Sequence, residues 1–508
     1  MEHEILGRPL FEAECQVPLH SSSESDCRRF SDGKYDEYST WLIKELSTQS
    51  RVAGPMILVS LLQFALTIVT LVFVGHLGEL ALSSSQIALT TAKATGLNIM
   101  MGLAVGLETL CGQAYGAKQY YLTGIFLQRG IFVLTLVGIP VSFLWWSIAP
   151  ILVAVGQDPL IAEGAQEYTR FLIPTLFAYA FLQPLVKYMQ AQSAVKAMAL
   201  FSVFTLVIHV ILCYFVIWHL EAGIRGAAIV TGISHWINVL FLALYVTFSG
   251  NFKKTWTGFS REAVKDIYPF LKLAVPSTFL LCLEYWCFDI SVFLSGRLPN
   301  PQLETSTFSV CLNIIALLYM IPSGLSAAVS TRVSNELGAG LPDAAKAAVK
   351  LTVSLGLIEG CTVAIVLMSA RNILPYLFIN EPDVVNYVSS LVPLLAVAAP
   401  LDGYRGILYG VASGCGWQQL GAYSNLIAFY AIGLPVGLLL TFHFNYHGYG
   451  LWIGILSGFL AQTCLLSCIT LTLNWQKLSF KAARLVDEAR DHHEHILTTF
   501  VTKRQAHI

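Results

Sequence analysis

Apolar runs, each near the ~20 residues that carry a helix across a bilayer, recur along this chain and constrain it more than any other feature. They fall near residues 53–75, 87–111, 124–147, 168–192, 198–218, 224–249, 269–295, 305–328, 346–368, 386–412, 419–441 and 449–473. Hydrocarbon offers no hydrogen-bond partner to a bare backbone, so only helices and closed barrels can span it. Runs of this length select helices. The 508 residues are 55% hydrophobic and only 12% charged, where soluble domains carry roughly 25% charge. Mean hydropathy is +0.64. The expected fold class is an all-α polytopic membrane protein with twelve transmembrane helices.

A net charge of −1 gives no electrostatic basis for binding nucleic acid. Residues 1–50 are polar and hold no early apolar stretch. A cleavable signal peptide is therefore not expected, and the first spanning helix must act as the insertion signal. The eleven cysteines lie mostly inside predicted helices, with no pair in a predicted outer loop. Packing thiols, not a disulfide framework, are expected. One set of loops holds Lys118, Lys196, Lys253, Lys254, Arg261, Lys265, Arg332 and Lys346, whereas the other holds little beyond Arg225, Arg297 and Arg371. The positive set should face the cytosol. With an even number of helices, both termini then face the cytosol too.

The two halves resemble each other. Gln113-Ala114-Tyr115-Gly116-Ala117 follows the second segment, and Asn335-Glu336-Leu337-Gly338-Ala339 follows the eighth, at an offset of 335 − 113 = 222 residues. Pro55 and Pro276 sit early in the first and seventh segments. Tyr168 precedes Pro174 by six residues, as Tyr387 precedes Pro393. The expected division is a cytosolic tail 1–50, a six-helix lobe 51–250, a cytosolic linker 251–268, a second six-helix lobe 269–475 and a cytosolic tail 476–508. Two pseudo-symmetric six-helix bundles of this kind meet at a central cavity, and rocking one against the other alternates access.

Two carboxylates stand inside apolar runs, Glu284 in the seventh and Asp402 in the tenth. An acid at membrane depth is expensive unless paired or wetted, and such acids mark ion paths. Glu284 is the first choice for a proton carrier. Asp402, between Pro400 and Gly403, fits a kinked helix with freed backbone groups. Arg405 is three residues on and in reach of Asp402. Their pair suits either an organising second site or a purely structural bridge. Asp289 lies about 140° around the helix from Glu284. Lys93 stands near the end of its segment and should snorkel. Glu359, central in the ninth segment, needs a partner or water. Tyr285, Trp286, Phe288, Tyr319, Tyr404 and Tyr409 cluster beside the acids, and aromatic faces attract organic cations. His209 is a mid-span histidine and looks isolated. Asp491-His492-His493-Glu494-His495 reads as a solvated stretch, not a metal site. No Walker loop, H-E-x-x-H or G-x-S-x-G pattern occurs, so neither nucleotide-driven transport nor those hydrolytic chemistries are expected. No cofactor and no metal are expected.

Phe73-Val74-Gly75-His76-Leu77-Gly78-Glu79-Leu80, Glu108 through Ala117, and Gly414-Cys415-Gly416-Trp417-Gln418 resemble signatures of the multidrug and toxic compound extrusion (MATE) transporters. Cys282-Leu283-Glu284-Tyr285-Trp286 is similar to the acidic seventh-helix motif of the eukaryotic branch. The wording resembles the plant DETOXIFICATION subfamily, over roughly residues 40 to 475. The resemblance implies two six-helix lobes and proton-coupled export of organic compounds. It implies that Glu284 and Asp402 are the proton-linked acids. Prokaryotic relatives use an Asp in the first helix, and Ala53 to His76 contains no acid. Asn313 matches a polar position that is acidic in some animal relatives. Asp289 stands where the family often has Glu, and Ser413 where it often has Arg.

The reading is a proton-coupled antiporter exporting organic cations, xenobiotics or secondary metabolites from the cytosol, working as a monomer in the plasma or vacuolar membrane. Its partners are a small organic substrate, protons and the lipid bilayer. Proton coupling is assigned to Glu284 and Asp402. The substrate cavity is assigned to Trp286, Asp289, Asn313, Tyr319, Tyr404 and Arg405. Two rivals are a lipid flippase of the same superfamily and, more remotely, a membrane-embedded transferase.

Overall fold

The apolar runs become helices in the computed structural model, which describes residues 24–505 and the side chains of residues 43–490. The first lobe holds α1 (Glu24–Gly75), α2 (Glu79–Gly116), α3 (Tyr120–Trp146), α4 (Pro159–Ala191), α5 (Val195–His219) and α6 (Gly223–Phe248). The second holds α7 (Ile267–Ser295), α8 (Pro301–Leu318 and Met320–Gly338, bent by 40° at Tyr319), α9 (Pro342–Ala370), α10 (Pro382–Cys415), α11 (Gln418–His443) and α12 (His447–Thr472). A last helix, α13 (Trp475–Gln505), follows. Eleven helices are long and apolar enough to cross a membrane, and the bent α8 makes the twelfth. Starts and stops follow local chemistry. Proline opens α4, α8, α9 and α10, where a missing N–H costs nothing. Asp158 caps α4 by accepting from the amides of Leu160 (2.9 Å) and Ile161 (3.3 Å). Gly416 ends α10 at φ 77°, a conformation that favours glycine.

Two local expectations, on the N-terminal tail and on Lys93, are corrected. Residues 24–50 extend α1 as continuous helix instead of forming a separate tail. The polar faces of Glu45 and Gln49 hold this extension, because they find partners on the second lobe (below). The C-terminal tail forms the helix α13, which docks through Ser479 (Oγ to the Leu337 carbonyl, 3.3 Å) and buried Ala482 and Val486. Asp491 to His495 continue that helix, but their side chains lie outside the described residues. Lys93 does not snorkel at a helix end: α2 starts at Glu79, which leaves Lys93 in mid-span and exposed. Helix α10 continues past Pro400 and Asp402 to Cys415.

Between apolar helices in lipid, close approach of backbones supplies much of the association. The seam between lobes shows this. A Cβ on Gly116 would collide with the Asn335 carbonyl, and one on Gly338 would collide with the Gln113 carbonyl. The two contacts exchange partners at the same offset, 113 + 222 = 335 and 116 + 222 = 338. A pseudo-twofold axis therefore passes between α2 and α8. Ser330 donates to Glu108 Oε2 (2.6 Å) across it, again 222 residues apart. Asn335 bonds the Ala191 carbonyl (3.0 Å), and its equivalent Gln113 bonds the Gly414 carbonyl (3.3 Å). Breaks in the helices repeat as well: α2 holds a π-turn at Lys93–Leu97, and 97 + 222 = 319 is the bend of α8.

The lobes are sealed at one end only. Arg332 pairs with Glu45 through two bonds of 3.0 Å. Gln49 bonds the Ala348 carbonyl (3.1 Å) and accepts from Thr352 (2.6 Å). Both sets lie at the end that bears Lys118 and Lys346. The last lobe-to-lobe bonds on moving away from that end are Ser323 to Ser60 (3.3 Å) and Trp286 Nε1 to the Ala94 carbonyl (3.1 Å), among the described residues. Beyond them, residues 79–92 of α2 and 301–318 of α8 pack within their own lobes. The molecule is thus closed at the Lys-bearing end and parted at the other.

Candidate functional site: one arginine between two buried acids

Helices α7 and α10 bring the two sequence-selected acids onto a single guanidinium. Glu284, Asp402 and Arg405 are 9%, 4% and 1% exposed. Arg405 Nη2 donates to Glu284 Oε1 (2.6 Å) and also to Asp402 Oδ1, one helical turn back on α10. Its Nη1 points to Gln462 Oε1 (3.4 Å) on α12. The Tyr409 hydroxyl lies 3.1 Å from Glu284 Oε2 and 2.6 Å from Asn425 Oδ1 on α11. Gln462 Nε2 donates to Tyr409 and to Asn425. Four helices therefore meet at this network. Leaving a buried charge unpaired is costly, so the second acid, the arginine and the amides are mutually required.

Three rings surround the guanidinium, and only Tyr409 among them belongs to the aromatic group selected from the sequence. Arg405 Cζ stands 4.5 Å from the centroid of the Phe459 ring, with Tyr409 and Phe429 at 5.7 and 5.9 Å. Phe288 packs edge-on against Phe429 and Phe459. Phe459, Tyr409 and Phe429 thus face the protein's own cation.

The remaining sequence-selected residues are spread out. Trp286 is the lobe-to-lobe donor to Ala94. Asp289 lies within electrostatic reach of Lys93 on the opposite lobe. Tyr319 occupies the bend of α8, beside Asp402. The Tyr404 hydroxyl accepts from Ser467 (3.2 Å). Asn313 is exposed on the first part of α8. Arg405 is the one member of the expected substrate set that joins the acids directly.

Sequence reasoning missed several groups. Asn425 and Gln462 carry the same signal as the acids, a polar side chain inside an apolar run. Glu108 pairs with Lys187 in the first lobe while accepting from Ser330 of the second. His209 is not isolated: Thr70 Oγ1 lies 3.0 Å from its Nε2 and Ser234 Oγ 2.8 Å from its Nδ1. His235 is a second histidine inside a span, bonded through Nδ1 to the Thr231 carbonyl (2.8 Å). A cavity of about 700 Å³ lies at the sealed end, away from the acids, lined by Thr109, Arg129, Lys272, Gln418, Lys481 and others. Its wall includes the lobe-to-lobe bond from Gln418 to Thr109 (2.7 Å). The larger space and the ionisable network are thus distinct, and the network is the candidate site because, among the described residues, it alone gathers two acids on one arginine within the spans. The nine described cysteines are free, six of them buried.

Comparison with known proteins follows the same division into lobes. The MatE family model matches residues 55–215 and 276–439, one stretch in each lobe. Protein DETOXIFICATION 16 of Arabidopsis thaliana is 47% identical over 446 residues, covering 88% of this chain and 92% of that relative. Protein DETOXIFICATION 15 of the same plant is 46% identical over 451 residues, covering 89% and 92%. The crystal structure of the eukaryotic MATE transporter AtDTX14 matches with a TM-score of 0.85 at 44% identity, covering 88% of this chain and 99% of that one. The Vibrio cholerae MATE transporter VcmN, at 18% identity and a TM-score of 0.77, shares the fold. Sequence, repeat and architecture agree: the chain belongs to the MatE family and is a MATE transporter of the DETOXIFICATION type, not an enzyme.

Proposed function

We propose that this transporter is a proton-coupled antiporter that exports organic cations, xenobiotics or secondary metabolites from the cytosol, with Glu284 and Asp402 as the proton-linked acids. The observation that carries this reading is the shared guanidinium of Arg405. With both acids ionised the trio holds a net charge of −1. One proton neutralises it. A proton on Glu284 replaces an ion pair between α7 and α10 with a weaker bond from the Arg405 cation to a neutral carboxyl. The fit of α7 against α10 then depends on occupancy by the proton, which is the link antiport needs.

The parted end of the lobes would load protons from the acidic side. The sealed end, with its Lys-rich loops, would face the cytosol, placing both termini there. Plasma and vacuolar membranes both supply that polarity. The path lies between lobes of one chain, so a monomer suffices. One pH unit is worth ~1.4 kcal/mol per proton, and ~100 mV adds ~2.3 kcal/mol per charge moved. Tenfold accumulation costs ~1.4 kcal/mol, so one proton can drive it.

The test is transport of an organic cation into proteoliposomes under an imposed pH gradient. Glu284→Gln retains an acceptor for Arg405 and should fold, yet lose gradient-driven transport. Full gradient-driven transport by that variant would overturn the assignment.

A further inference from the structure

Glu359 stands in the middle of α9 with no hydrogen-bond or ion-pair partner among the described residues. An acid at that depth needs a partner or water. What it faces is the back of the acid pair. Helices α9 and α10 pack so tightly that a Cβ on Gly360 would lie 2.9 Å from the Pro400 Cα. One residue past Asp402, a Cβ on Gly403 would lie 3.4 Å from Glu359 Oε2. Between the helices a cavity of about 10 Å³ remains, and its polar lining consists of Glu359, Asp402 and Tyr319. A water needs roughly 10–15 Å³ and two to four polar partners. The space fits one water, and three polar side chains face it.

We infer that Glu359 is a third proton-carrying carboxylate, joined to Asp402 through a single water, and that it stores a proton for the Glu284–Asp402 pair behind α10. In the hop, an O–H bond of protonated Asp402 breaks as one forms on the water. The water passes another of its protons to a Glu359 oxygen and is left unchanged. The titratable groups facing Glu359 are Asp402 from α10 and Tyr319 from α8, with Arg405 and Glu284 behind Asp402. Half-buried Glu359 holds the proton there and returns it by the same water, since the exposed neighbours Leu357, Ile358 and Cys361 on this spanning helix offer it no acceptor.

This inference rests on the proton-coupled reading, and two assays on the same proteoliposomes separate them. The probe is ethidium. In the first assay a pH gradient drives its uptake across a series of pH values. In the second, labelled ethidium exchanges for unlabelled at equal pH on both sides, with no net proton movement. Glu359→Gln should slow gradient-driven uptake by about tenfold or more, as loss of a proton-transfer group does. Equal-pH exchange should stay within about twofold, and Glu359→Asp should restore most of the driven rate. Unchanged driven uptake and pH profile in Glu359→Gln would overturn the proton store. So would an equal loss in both assays, which marks a structural role. Glu284→Gln serves as the control: if it keeps driven uptake, the coupled reading itself fails.

Discussion

At the scale of single residues, Arg405 is the piece on which the others depend. It is nearly inaccessible and touches both acids, Gln462 and three aromatic rings. Arg405→Met should therefore leave two acids competing without a cation. Removing one partner from a buried charge network costs about 3–5 kcal/mol, and the loss should appear as a large fall in the melting temperature of detergent-solubilised protein. Arg405→Lys keeps the charge but lacks the fork that reaches two helices at once. It should recover much of the thermal stability while leaving gradient-driven transport impaired. Part of this site was legible in the sequence. Asp402 and Arg405 are three residues apart on one helix, so their pairing follows from helical geometry. The bond from Arg405 to Glu284 joins residues 121 apart. Nothing local encodes it, because it depends on which face α7 turns to α10. Of the aromatic group selected from the sequence only Tyr409 meets Arg405, and Phe429 and Phe459 join it from α11 and α12 because a ring attracts an arginine of its own chain as readily as a ligand cation.

At the scale of elements, hydropathy located every span, because each helix must satisfy its own backbone. It was weaker on ends. Residues 24–50 look soluble by composition, yet Glu45 and Gln49 hold α1 against α8 and α9 through Arg332, Ala348 and Thr352. Polar residues that find specific partners prolong a helix that hydropathy alone would stop. The same blindness misplaced Lys93. The repeat was readable as an offset, but that offset does not say that the two copies touch. In the fold they touch at Gly116 and Gly338, where backbones approach too closely for any side chain. Gly338→Ala should therefore prise the seam apart. Spin labels at positions 118 and 341 should report a longer distance by pulsed EPR than in the parent, with the sealed conformer depopulated about tenfold for ~1.4 kcal/mol of clash.

At the scale of the whole molecule, the lobes meet at one end and part at the other, and α13 lies across the closed end. Ser479 ties α13 to the Leu337 carbonyl, and Lys481 and Leu485 wall the cavity there. Deleting α13 by ending the chain after Leu473 should loosen that end. Amide hydrogen exchange of residues 109–116 and 335–341 should speed up, because local opening tracks lost burial and lost bonds. The far halves of α2 and α8 should be unaffected. The reciprocal clasp of α2 on α8 carries a consequence for ancestry. A surface that grips its own copy ties the duplicated halves together: a change on one side needs an answering change on the other. The acids around Arg405 in the second half and the hydroxyls around His209 in the first lie outside that clasp, so neither has to be matched by its copy.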